Sequence, residues 1–182
     1  MAIHQLPHIT VRTCMPALAA ALAFGTTAAI ADSSREIQQQ LATAKLSLSD
    51  AIERGLQEVP GQVIDIAIDQ DDGTLLYEME VVTSEGDSVE LDIHAADGSV
   101  RKYENDGKAS RRDQERLAAA RLDIRQAIDA AVQHTPGTPY SAELDRHFGT
   151  VVYEVDILQD DARKFEVKID AKTGAIVQAH ED

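Results

Sequence analysis

The nine residues GTLLYEMEV, from Gly73 to Val81, return as GTVVYEVDI from Gly149 to Ile157, an offset of 76 residues. The recurrence extends well beyond this stretch. With residues 45–106 set over 121–182 and no gap, Pro60-Gly61 falls on Pro136-Gly137, Tyr77-Glu78 on Tyr153-Glu154, and Gly98 on Gly174. A period this long exceeds the ~20–50 residues of solenoid repeats, so the chain is expected to build one small domain twice.

Each copy opens with helical periodicity. Leu48, Ala51, Ile52, Leu56 and Val59 fall on one stripe in the first, and Ile124, Ala127, Ile128, Ala131 and Val132 on the matching stripe in the second. Ser47 with Asp50 and Asp123 with Gln126 have the spacing of N-terminal capping pairs. Pro60-Gly61 and Pro136-Gly137 end the helices, the proline restricting its predecessor and the glycine permitting a turn. Period-two segments follow. Ile64, Ile66 and Ile68 alternate with Asp65, Ala67 and Asp69, and Leu75, Tyr77, Met79 and Val81 with Leu76, Glu78, Glu80 and Val82. Val89, Leu91 and Ile93 alternate with Glu90, Asp92 and His94, and copy two repeats the pattern through Tyr140–Leu144, Val151–Ile157 and Phe165–Ile169. Alternation of this kind describes antiparallel strands with one face on a core and one in water. The expected class is α+β: two tandem copies, each a helix packed on a three- or four-stranded antiparallel sheet.

Flanking segments complete the organisation. Residues 1–31 contain no Asp or Glu, carry Arg12, and run through CMPALAAALAF to small residues ending at Ala31. They are expected to be a signal peptide cleaved before Asp32, since the apolar run is about half of the ~20 residues a membrane span needs. Removal would take away Cys14, the chain's one cysteine, and with it any disulfide or thiolate chemistry. Residues 32–46 read as an N-terminal helical segment, 47–106 as the first domain, 107–120 as a solvated helical linker, and 121–182 as the second domain.

The residues quoted for the repeat, together with the endings IHAADGSV and IDAKTGAI, resemble the PepSY domain in tandem. Tyr77, Asp97 and Gly98 in copy one, and Tyr153, Asp170, Thr173, Gly174 and Ile176 in copy two, stand where that family's pattern places them. Copy two has Asp160-Asp161-Ala162 where copy one turns through Gly86, and copy one has His94 where copy two has Asp170. The resemblance implies a module of the kind found in propeptides of secreted thermolysin-like metallopeptidases, and free or attached in the bacterial envelope. No peptidase His-Glu-x-x-His helix is present in this sequence. A protein partner in the cell envelope, with a metallopeptidase among the candidates, and a periplasmic or secreted location are therefore expected.

Charge narrows the function further. With 32 acidic and 17 basic residues the formal net charge is −15, which repels a phosphate backbone, and 4% aromatic content without tryptophan offers no stacking platform for single strands. On the water-facing phase of copy one, Asp65, Glu78, Glu80, Glu90, Asp92 and His94 accumulate. The corresponding positions of copy two include Ser141, Glu154, Asp156, Glu166 and Lys168. These residues are the candidate binding surface, because carboxylates on one sheet face repel one another until a counter-charge arrives. Glu78, Glu80, Glu90 and Asp92 are also candidates for weak, Ca²⁺-like metal binding through hard oxygen ligands. No other cofactor and no catalytic residue is expected. His94, His134, His147 and His180 lack ligand spacing, and an open sheet face gives paired carboxylates no unlike environments to separate an acid from a base.

Overall fold

The computed structural model describes residues 26–182, with side chains from residue 34. The expected signal peptide therefore lies for the most part outside the described residues. Four helices and eight strands follow in the order α1 (Thr26–Thr43), α2 (Leu48–Glu58), β1 (Gly61–Asp71), β2 (Thr74–Thr83), β3 (Asp87–His94), β4 (Val100–Lys108), α3 (Arg111–Ala119), α4 (Ile124–His134), β5 (Thr138–His147), β6 (Thr150–Leu158), β7 (Lys164–Asp170) and β8 (Ile176–Glu181).

Helices α2 and α4 form where the caps and apolar stripes place them. Both carry complete capping boxes: the Ser47 and Asp123 side chains accept from the Asp50 and Gln126 amides, while the Asp50 and Gln126 side chains reach back to the cap amides. Each then lays its apolar stripe on the sheet. Leu48, Ala51 and Ile52 of α2, and Ile124, Ala127 and Ile128 of α4, are buried against Tyr77, Met79, Leu91 and Ile93 and against Tyr153, Val155, Val167 and Ile169. The Tyr77 hydroxyl donates to the Leu46 carbonyl at 2.7 Å and the Tyr153 hydroxyl to that of Leu122 at 2.9 Å, so each ring fills the core and pins the segment entering its helix.

The sheet differs from expectation. Instead of two separate small sheets there is one eight-stranded antiparallel sheet, in the order β4-β3-β2-β1-β5-β6-β7-β8. Each copy leaves β1 or its equivalent β5 as an edge, and the two edges pair with each other. An open edge is a row of unpaired amides and carbonyls, and the second copy supplies its partner. The joint is short: Asp65 opposes Glu143, Ile66 opposes Ala142, and Ala67 opposes Ser141. Ile66 and Ala142 are themselves equivalent in the repeat, so the two halves meet about a pseudo-twofold axis through that pair. Both α2 and α4 consequently cover the same face of the continuous sheet.

Two further corrections concern the turns and the linker. Gly61 and Gly137 are required by close approach rather than by a turn conformation: a Cβ at Gly61 would stand 2.5 Å from the Val82 carbonyl oxygen, and one at Gly137 2.5 Å from the Ile157 Cγ2. The linker is not a free solvated spacer. Residues 107 and 108 still belong to β4, and α3 lies against β1 and β5, with Leu117 packed on the core and Arg116 bonded to Asp145. Its equivalent in the repeat, α1, reaches β6. On the sheet face opposite α2 and α4, Leu76, Val82, Val152 and Leu158 are buried, so the supposed water-facing phase is apolar and covered toward its flanks.

Candidate functional site

Joining the sheets turns two acidic patches into one. Read across all eight strands, one register row on the face opposite α2 and α4 runs Glu104, Glu90, Glu80, Asp65, Glu143, Glu154, Lys168, Gln178. Six consecutive carboxylates are thus held on neighbouring strands, whose spacing of ~4.8 Å leaves like charges in contact range. The adjacent row reads Lys102, Asp92, Glu78, Ala67, Ser141, Asp156, Glu166, His180. Between the rows of copy one lies a shallow concavity of about 260 Å³ bordered by Asp65, Glu78, Glu80, Glu90 and Asp106, with Ala67 and Met79 at its base.

Counter-charges stand at the ends of the rows. Lys102 Nζ lies 2.9 Å from Glu90 and 3.4 Å from Glu104, and Lys168 Nζ lies 2.6 Å from both Glu154 and Glu166. Lys168 is only 7% exposed; burial alone would lower its pKa, but the two carboxylates outweigh that and raise it. Ser88 donates to Glu80 and Ser141 to Asp156. No salt bridge reaches Asp65, Glu78 or Glu143 among the described residues. The consequences appear in their titration. Lost hydration in the crowded row, then Glu80, push Asp65 up to about 6 although its side chain is exposed at the surface. Lost hydration first and neighbouring acids second raise Glu78, with Asp69 foremost, and Glu143, with Asp65 foremost. Asp156 is raised by desolvation against the hydrogen bond from Ser141.

Asp92 stands apart from the others. It is 8% exposed, desolvation raises its pKa, and its Oδ1 has no hydrogen-bond partner among the described residues. A buried carboxylate oxygen without a donor is costly, so the row beside Lys102 and Glu78 is under-satisfied as it stands.

The structure therefore brings Asp65, Glu78, Glu80 and Glu90 together, sets Asp92 beside them, and excludes His94. That histidine pairs with Leu76 at the end of β3 and borders the turn holding Asp97, outside the concavity. The metal candidates Glu78, Glu80, Glu90 and Asp92 lie near one another on this face, and among the described residues no group of three or more His, Cys, Asp or Glu side chains converges as a ready-made metal cage. Sequence reasoning missed Glu104, Asp106 and Glu143. Glu104 and Asp106 sit in a β4 whose polar RKYENDGK run has no alternation, and Glu143 joins the row only through the β1–β5 pairing.

The chain is similar to several known proteins. The Bacillus subtilis (strain 168) protein YkoJ is 37% identical over 81 residues, which cover 44% of this chain and 46% of YkoJ; less than half of that relative is thus represented. Among solved structures, a Clostridium difficile 630 protein aligns over 76% of this chain and 95% of its own with 18% identity and a TM-score of 0.46. The Bacillus megaterium YpeB C-terminal domain aligns over 76% of this chain and 66% of its own with 14% identity and a TM-score of 0.31. Residues 45–104 and 121–179 each match the PepSY family, described as the peptidase propeptide and YPEB domain, and the chain belongs to that family.

Proposed function

We propose that this protein is an exported, non-catalytic regulatory module of the bacterial cell envelope that docks a basic segment of a partner protein on its acidic sheet face, with a secreted metallopeptidase as the partner class. Family membership supports the regulatory reading, since the family description names peptidase propeptides. No described helix is long and apolar enough to cross a membrane. The observation that carries the docking surface is the row of six carboxylates, with Asp65, Glu78 and Glu143 unbridged and Asp92 buried without a donor beside it. Lysine or arginine side chains laid across the row would supply both the missing counter-charge and the missing donor.

The test is inhibition of a metallopeptidase co-secreted by the producing organism. Residues 32–182 should reduce hydrolysis at a near-stoichiometric ratio, and the variant carrying Asp65→Asn, Glu78→Gln, Glu80→Gln and Glu143→Gln should require a large excess. Undiminished hydrolysis in the presence of the folded wild-type chain would defeat the peptidase reading. A loosely held divalent cation is a second reading, favoured by the carboxylate-lined concavity. It requires a saturable calorimetric signal with Ca²⁺ that NaCl at matched ionic strength does not give.

A further inference from the structure

The hairpin between β5 and β6 turns on Phe148 and Gly149, both with positive φ, 46° and 89°. Copy one makes the same turn with Asp72 and Gly73, at 49° and 76°. Asp-Gly suits a two-residue turn of this kind, because aspartate tolerates the left-handed region and glycine is unrestricted there. A bulky aromatic ring in that region is a steric outlier. The fold thus accepts Asp at this position in one copy and holds Phe in the other against local preference.

Among the described residues the phenylalanine gains little to offset this. Phe148 is 97% exposed, against 60% for Tyr103 and 46% for Val177, the other large exposed apolar residues among those described, which lie on the outermost strands. Its ring touches His147 edge-on, with centroids 4.4 Å apart and planes at 69°, and the Arg146 guanidinium donates to the Gly149 carbonyl at 3.4 Å. The His147 contact leaves the ring uncovered, and the Arg146 bond is made to the turn backbone rather than to the ring. Backbone strain at an exposed aromatic is the pattern of a group held for something outside the molecule.

We propose that Phe148 is an anchor that inserts into an apolar pocket of a partner protein, at a site separate from the acidic face. A single protruding ring matches the way one aromatic residue fills a pocket at the centre of an interface. A bilayer is disfavoured as the occupant, because a chain with net charge −15 is repelled by anionic lipid. One ring also buries too little area to hold the chain on a neutral surface. The proposal does not depend on the acidic-face reading, and its test leaves those carboxylates untouched.

The experiment places p-benzoylphenylalanine at position 148 of the full chain and, in a second protein, at position 72, and irradiates each in envelope extract of the producing cells. A discrete protein adduct from position 148 and none from position 72 is expected. Purified wild-type chain should compete for that adduct, whereas Phe148→Asp should require at least ~30-fold more protein. Phe148→Asp should unfold at the same or a higher midpoint than wild type, because it copies the turn at Asp72, so failed competition cannot be ascribed to misfolding. Equal adducts from the two positions, or equal competition by Phe148→Asp, would overturn the proposal. So would wild-type binding to phosphatidylcholine vesicles, with or without phosphatidylglycerol, that Phe148→Asp abolishes.

Discussion

Ala162 occupies the left-handed region at φ 64°, in the β6–β7 hairpin, where the equivalent residue of copy one is Gly86 at φ 80°. The hairpin keeps its shape despite the substitution: the Ala162 amide donates to the Gln159 carbonyl at 2.9 Å as the Gly86 amide donates to that of Thr83. The cost of a Cβ there exceeds the entropy that glycine restores to the unfolded chain, so Ala162→Gly should stabilise copy two by about 1 kcal/mol, read as a higher urea midpoint. An unchanged or lower midpoint would mean that the turn is not strained. At the two core tyrosines, Tyr77→Phe and Tyr153→Phe each remove one hydroxyl and leave the Leu46 or Leu122 carbonyl to water, costing about 1 kcal/mol. Truncation to Ala empties the core and should cost ~3–5 kcal/mol, so equal effects of Phe and Ala would contradict the burial of the rings. Desolvation already pushes both phenols up to about 12, in keeping with that burial.

At the scale of elements, the two copies solve the helix–sheet contact differently. In α2 a Cβ on Gly55 would stand 1.9 Å from the Met79 methyl and 3.1 Å from Ile93 Cδ1. The equivalents in copy two are Ala131 and Val155, both fully buried, so the volume that methionine supplies from the strand in one copy is shared with the helix in the other. Gly55→Ala alone gains about 1 kcal/mol of helix propensity but forces the methionine aside. Combined with Met79→Val it reproduces the copy-two pair, and a double-mutant cycle should give a favourable coupling of at least ~0.5 kcal/mol. Strict additivity would show that the helix and strand do not share this space. Helix α3 carries a related lesson. Its RRDQER run reads as solvated, yet Arg116 is tied to Asp113 and Asp145 and is mostly buried, because the linker must cross the sheet to connect the halves.

For the whole molecule, the joint between the copies carries opposed acids. Asp65 and Glu143 face each other across β1 and β5, flanked by Glu80 and Glu154, with the Arg116 guanidinium pulling Glu143 the other way. An acid whose pKa is higher folded than unfolded binds its proton more tightly in the folded state. For Asp65, at about 6 against an ordinary 3.8, stability is therefore gained as pH falls through that interval and is absent above it. Glu78, Asp92, Glu143 and Asp156 act in the same direction. Asp50, Asp97 and Asp161, held low by hydrogen bonds from Ser47, Ser99 and Arg163, act oppositely and only at lower pH. The urea midpoint should accordingly be higher at pH 5 than at pH 7. Asp65→Asn should raise the pH 7 value and narrow the difference; an unchanged difference would remove Asp65 from the account.

Much of this arrangement is legible in the residues because it is local. The duplication, the capped helices from Ser47 and Asp123, the inward tyrosines and the acidic phase of β2 and β3 follow from spacing within one copy, where the 3.6 and 2.0 periods fix which side chains share a face. Glu78, Glu80 and Glu90 were identifiable on that basis, as was the α+β class. What sequence spacing could not reveal was how one copy meets the other. Period-two alternation says which face a strand buries but not what lies beyond its edge, so the fusion into one sheet, the continuity of the acid row through Glu143, and the exclusion of His94 from the concavity depended on pairing between distant segments. The flanking helices follow the same rule: Leu76 and Val152 lie on the phase that local alternation assigns to water, and only the packed molecule buries them.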